Sequence, residues 1–396
     1  MLADARKPPF AVLIAVFMPS MTSVTILLPS MPGLQTTFGV DYSSVQLTLT
    51  FYLIGLGLAQ LVYGPISDRI GRRSPLLVGC GMFIAGSLLC KLAPSIEVLI
   101  FGRLVQAVGA CAGLVLCRAI VRDLYERDRA ASKLADLSMA TTVASTLAPM
   151  IGGFLDTWLG WRAVFAFLLI LGLIVLSAAA VCLHETHKPG TDGEGFRVYL
   201  PSVGYLLCER AFLGYALTLA SIYGTYSSIV GGTPFIVIQL MERSADAYGL
   251  AMGLVMAAFG TGNFIAGRIS TKVGVDPMVA WGTTIGVVCG LVLASLWVSG
   301  WLTPVTLFVP IAVLWLTQGM VVPNAMAGSV SVNPRMAGAA AGITGFLQMV
   351  FGAGASYLVG VLLTDSAGPM VFIVVIGSTI AWLAHGLGVR WVRPPA

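Results

Sequence analysis

The chain is 396 residues long; 57% of them are hydrophobic and 10% charged, and the mean hydropathy is +0.92. A soluble domain carries about 25% charged residues, so a water-facing surface cannot be coated and a soluble globular fold is excluded. The formal net charge of +5 would suit nucleic acid, but the bases stand in short runs between apolar segments, which excludes such a partner.

The lipid bilayer is therefore the expected solvent. A span needs ~20 apolar residues. Apolar runs bounded by turn residues predict twelve helices, near 10–30, 43–63, 74–92, 97–118, 132–155, 161–183, 209–232, 247–267, 278–298, 303–326, 337–363 and 369–389. Arg6 and Lys7 open the chain as a signal peptide would, but no small-residue cleavage site follows, so an uncleaved first helix is expected. Gly231, Gly232 and Pro234 interrupt the outer end of the seventh helix. Placing the N-terminus in the cytoplasm puts 18 of the 22 Lys and Arg residues inside, which predicts two cytoplasmic termini. The seven cysteines are scattered and show no CxxC spacing, so they read as small apolar packers, with no metal site expected.

The longest hydrophilic stretch runs from His184 to about Val198. It predicts an N-terminal half of six helices over 1–183, a cytoplasmic linker over 184–204 and a second six-helix half over 205–396. A repeat supports the division. Gly64-Pro65-Ile66-Ser67-Asp68-Arg69-Ile70-Gly71-Arg72-Arg73 follows helix 2, and Gly267-Arg268-Ile269-Ser270-Thr271-Lys272-Val273-Gly274 follows helix 8. Two six-helix halves in parallel repeat are the plan of one large class of transporters.

In the first loop, Gly64 and Gly71 permit a tight turn. Asp68 can cap a helix N-terminus, and Arg69, Arg72 and Arg73 can pair with acids or with anionic headgroups. Arg103 lies deep in helix 4, ahead of Gln106, where a charge needs a partner or a water-filled cavity. Asp136, about one turn inside helix 5, is the acid nearest to a helix centre among the seventeen; it can also simply pair with Arg118 or Lys133. Pro149 bends helix 5, and Gly152 and Gly153 allow close helix approach. Thr25, Tyr52, Tyr223, Tyr226, Gln318 and Gln348, with Thr22, Gln60, Thr142, Ser145 and Asn263, are polar side chains at mid-span and candidates to line a cavity. Each is also a possible helix–helix contact.

Residues 64–73 closely resemble the signature loop of the major facilitator superfamily. Arg103-Leu104-Val105-Gln106-Ala107-Val108-Gly109 resembles its helix-4 motif, and Ala148-Pro149-Met150-Ile151-Gly152-Gly153 its antiporter motif. Leu183-His184-Glu185-Thr186 is similar to a further family feature. Leu28-Pro29-Ser30-Met31-Pro32 and the stretch 44–53 narrow the resemblance to the chloramphenicol and bicyclomycin resistance exporters. The resemblance implies an all-α fold of twelve membrane helices in a bacterial cytoplasmic membrane. It implies that Asp68, supported by Arg72, latches the halves in the outward-facing state, that Arg103 serves proton coupling or substrate binding, and that the chain exports drug-like molecules by proton antiport. Thr25 stands where that subfamily usually carries an acid. With no central acid, neutral or anionic solutes are expected, and import of a metabolite or siderophore is the alternative, with a transport-dead sensor a third. No cofactor beyond a proton gradient, no enzyme activity and a monomeric state are expected.

Overall fold

The computed structural model describes residues 8–125, 127–186, 203–333, 336–363 and 366–390. Most of the expected linker lies outside the described residues, as do Arg6 and Lys7. Among the described residues, the twelve long helices are α1 (Phe10–Phe38), α2 (Tyr42–Ile70), α3 (Arg73–Leu92), α4 (Ile96–Leu124), α5 (Arg127–Leu159) and α6 (Trp161–Cys182), then α7 (Arg210–Pro234), α8 (Ala245–Val273), α9 (Val275–Val298), α10 (Pro304–Ser331), α11 (Ala337–Leu362) and α12 (Gly368–His385). No strand occurs among the described residues.

Several helices depart from their expected bounds for local reasons. α1 is broken into Phe10–Phe17, Pro19–Thr25, a tight turn at Leu28–Ser30, and Met31–Phe38. Pro19, Pro29 and Pro32 have no N–H to give, so each removes one rung of the helix ladder. α2 runs on through Pro65 to Ile70, so the first part of the signature loop is helix and only Gly71 and Arg72 turn. α2 and α8 are each 29 residues long and each ends at a glycine of positive φ, Gly71 at 92° and Gly274 at 90°. Side chains rarely adopt that conformation. The repeat seen in the sequence is thus a repeat of backbone geometry.

Eleven of the helices are long and apolar enough to cross a membrane on composition alone; α7 is the exception. Ser221, Thr225, Ser227 and Ser228 lower its hydropathy, yet 19 of its 25 residues are buried. α6, by contrast, buries seven of 22 and exposes Leu173, Ile174 and Val181. Polar side chains are costly against lipid and tolerable against protein. The helix that lacks a span-length apolar stretch is therefore an inner one, and the greasiest faces the acyl chains.

The apolar core is distributed unevenly along the bundle axis. At the end far from Gly71 and Gly274, one continuous cluster joins Leu28, Leu49 and Tyr52 of the first six helices to Ile229, Met252, Trp315 and Met349 of the second six. At the end that bears those glycines, here the basic end, the core divides. Leu13, Leu76, Ile120 and Leu183 form a cluster belonging to α1–α6 alone. Tyr215, Val279 and Val321 form one in α7–α12, and Phe212, Ala340 and Ile343 another. Buried apolar surface contributes roughly 25 cal/mol per Å², so the halves are held together at the far end.

Candidate functional site

The basic end is organised by the turn after α2. Asp68 does not cap a helix. It lies in the last turn of α2, where its Oδ1 accepts from Arg72 Nη1 at 2.5 Å. The Arg72 guanidinium also donates to Ser67 Oγ at 2.6 Å and to Asp123 Oδ2, at the end of α4, at 3.1 Å. Glu185 takes the helix terminus: the backbone N–H groups of Arg72 and Arg73 donate to its two carboxylate oxygens at 2.7 and 3.1 Å. A carboxylate there satisfies free amides and the positive end of the α3 dipole. Arg73 completes the exchange by donating to the carbonyls of Leu183 and Ala180, at the end of α6, at 2.8 and 3.0 Å. All these bonds lie within the first six helices. The Asp68 side chain is 51% exposed, and a Cβ added to Gly64 or Gly267 would meet nothing within 4 Å.

The far end is bridged by neutral groups. The Phe235 N–H goes to the Gly232 carbonyl, so the Gly231 carbonyl lacks the amide that a regular helix would supply four residues on. Tyr42 Oη donates to it at 2.7 Å, and Gln46 Nε2 donates to it as well. Gln46 Oε1 accepts from Ser356 Oγ on α11 at 3.0 Å. Gln239 Nε2 donates to Gln35 Oε1 at 2.6 Å and to the Pro32 carbonyl at 3.4 Å. Among the described residues, these are the side-chain hydrogen bonds that join the two halves.

Two glycine-lined seams lie beneath this bridge. In the α5–α8 seam, a Cβ on Gly153 would stand 2.7 Å from the Ala245 carbonyl, and one on Gly249 2.5 Å from the Pro149 carbonyl. Gly249 and Gly253 form a small-xxx-small step that lets two backbones touch. Gly152 fits against the carbonyl of Ile26, at the break in α1. In the α2–α11 seam, Gly57 abuts Met349, Gly345 abuts Gln60, and Gly360 abuts Gln46.

Between the two ends, Arg103 is 1% exposed. It neither snorkels to an interface nor meets an acid: the ion pairs among the described residues are Arg72 with Asp68 and Asp123, and Lys133 with Asp136. Arg103 donates to Gln106 Oε1 at 2.6 Å and to the Ser23 carbonyl at 2.9 Å, and lies 4.1 Å from the centroid of the Tyr52 ring. Tyr52 Oη donates to the Ser20 carbonyl at 2.9 Å, and Gln106 Nε2 to Ser87 Oγ at 2.8 Å. A buried cation is thus held by dipoles and a π face rather than by a carboxylate, and its Nε is buried with no hydrogen-bond partner. Thr25 is buried and bonds back to the Met21 carbonyl. Asp136 stands apart from this centre, in its pair with Lys133.

In the second half, Tyr223, Tyr226 and Trp315 stack in series. Their centroids are 5.3 and 4.7 Å apart and their planes within 25° and 26°. Tyr223 Oη, Trp315 Nε1 and Ser227 Oγ are buried with no hydrogen-bond partner. Buried donors without acceptors are costly, so this is where a polar guest would repay the fold. Gln318 is buried on the same helix as Trp315, and Gln348 is half-buried on α11. The sequence marks the two tyrosines as candidates but gives no role to Trp315, Gln46, Asp123 or Ser356. Pro234 was the one local sign of the bridge.

Residues 13–357 match the profile of the Major Facilitator Superfamily. An MFS-type transporter, YdgK, of Bacillus subtilis (strain 168) is 33% identical over 370 residues, covering 91% of this chain and 90% of its own. Multidrug resistance protein D of Escherichia coli (strain K12) is 31% identical over 329 residues, 82% of each chain. A bacterial homolog of the human lysosomal transporter Spinster, solved in an inward-facing and unoccupied conformation, superposes with a TM-score of 0.75 at 16% identity over 98% of each chain.

Proposed function

Because the chain belongs to the major facilitator superfamily, we propose that it exports small amphipathic drug-like molecules from a bacterial cytoplasm, by proton antiport and by rocking of its two halves about a central site. The observation that carries this reading is the divided core: one cluster shared by both halves at the far end, separate clusters at the basic end. The Lys and Arg bias assigns the basic end to the cytoplasm. The conformer is then closed outside and open inside, ready to accept a solute from the cell. In the opposite state the halves meet at the basic end, and Asp68, half-exposed here, is free to latch onto the other half.

The solute binds between Arg103 and the stack of Tyr223, Tyr226 and Trp315. Ring faces suit a planar apolar body, and the unpartnered Trp315 Nε1 and Tyr223 Oη suit acceptor atoms on it. With no carboxylate paired to Arg103, neutral or anionic solutes fit better than cations. A relative named for multidrug resistance supports the export direction. Thr25, at the position where an acid is usual in such exporters, favours a second reading, uptake of a metabolite. The two readings separate on cellular accumulation of labelled chloramphenicol with and without a protonophore. Export predicts lowered accumulation that the protonophore restores; uptake predicts raised accumulation.

A further inference from the structure

The face of α2 that turns away from the other half carries a groove unrelated to the transport path. Its volume is about 460 Å³, and Leu58, Val62, Ile66 and Ile70 form its floor, with Val78 of α3 opposite. The four α2 residues recur every fourth position and so stand in one stripe. All four are exposed, as is Val78. The inter-half seam uses a different face of α2, with Gly57 against Met349 and Gln60 against Gly345, so the groove opens to lipid rather than to the partner half. From Leu58 to Ile70 the stripe runs ~18 Å along the helix, a little more than one leaflet's share of a ~30 Å hydrocarbon layer.

Arg69 stands at the basic end of the α2 stripe, next in the chain to the lining residue Ile70. It lies three residues after Ile66 and seven after Val62, which places it in the same stripe. It is exposed, and no hydrogen bond or ion pair engages it among the described residues, whereas its neighbours Arg72 and Arg73 are both committed to protein partners. An apolar channel one leaflet deep, flanked at its basic end by a lone guanidinium at headgroup level, is complementary to one molecule: a phospholipid with an anionic headgroup. We propose that this groove binds an anionic phospholipid, one acyl chain lying along the α2 stripe and the phosphate paired with Arg69.

The test is native mass spectrometry of the full-length protein released from nanodiscs that contain equal amounts of phosphatidylglycerol and phosphatidylcholine of matched chains. Wild type should retain phosphatidylglycerol in roughly fivefold preference, the effect of one basic side chain at the membrane surface. Arg69→Gln should bring the ratio close to one, and Arg69→Lys should keep it. Val62→Trp, on an exposed face where folding is not at stake, should fill the groove and reduce retention of both lipids. Equal retention of the two lipids by wild type would overturn the proposal. So would an undiminished preference in Arg69→Gln, or full retention in Val62→Trp.

Discussion

Proline at 234 has no N–H, and Phe235 gives its own to Gly232, so the Gly231 carbonyl must look outside its helix for donors. Tyr42 and Gln46 supply them from the other half. Gln46→Ala removes one of these bonds and the bond from Ser356. At about 1 kcal/mol each, that shifts the balance toward far-end opening by roughly thirtyfold. Spin labels at positions 158 and 301, on far ends of different halves, should report a longer distance in the variant; an unchanged distance distribution would remove Gln46 from the gate. In the proposed cycle, Asp68 acts in the opposite state. Its pair with Arg72 is half-exposed here and contributes little, ~0–1 kcal/mol. Asp68→Asn should therefore leave folding intact while slowing transport roughly tenfold to a hundredfold, the worth of one charge-assisted bond; transport at the normal rate would dismiss the latch. Tyr223→Phe keeps the ring stack and deletes only an Oη that bonds nothing in the empty protein. Thermal stability should hold while solute affinity falls several-fold. Equal affinity would show that the Tyr223 Oη does not meet the solute.

At the scale of elements, two helices that belong to different halves can touch only where side chains are absent. Gly153 and Gly64 make a matched pair for testing this. A methyl on Gly153 would press on the Ala245 backbone carbonyl at 2.7 Å, whereas one on Gly64 meets nothing. Both substitutions gain helix propensity, so any difference between them comes from the seam. Gly153→Ala should lengthen the far-end distance in the same labelling experiment, and Gly64→Ala should not; identical behaviour would mean that α5 and α8 separate without regard to backbone contact. Much of this level was legible in the sequence. Span count follows from apolar runs, the two turns from Gly71 and Gly274, and the bend in α5 from Pro149. The exceptions have a common cause. The continuation of α2 to Ile70, and the burial of polar α7, depend on neighbours far along the chain. Pro234 marks a break beside Gly231, but Gln46 is 185 residues away and no local pattern marks it as the partner. Glu185 was noticed as part of a motif, but its place at the start of α3 is equally a long-range fact.

At the scale of the whole molecule, the distribution of core determines what motion is cheap. Separating the basic ends further disturbs no shared cluster, whereas opening the far end exposes the apolar surface around Leu49, Ile229 and Met349 and breaks the Gln46 and Gln239 bonds. A working cycle must recover that cost, either by forming equivalent contacts at the basic end or by drawing on the proton gradient, which offers ~2.3 kcal/mol per charge at 100 mV. Arg103 bears on the second route. It sits at the meeting of α1, α2 and α4, bonded to Ser23, Tyr52 and Gln106, and has no carboxylate beside it. Coupling in this chain therefore cannot rest on an acid at position 25. The most direct measurement is the accumulation of labelled chloramphenicol in cells carrying the wild-type protein or Arg103→Ala, each with and without a protonophore. Low accumulation is expected in wild type alone, restored by the protonophore and by the substitution. Accumulation raised by the wild-type protein would contradict export and identify the chain as an importer.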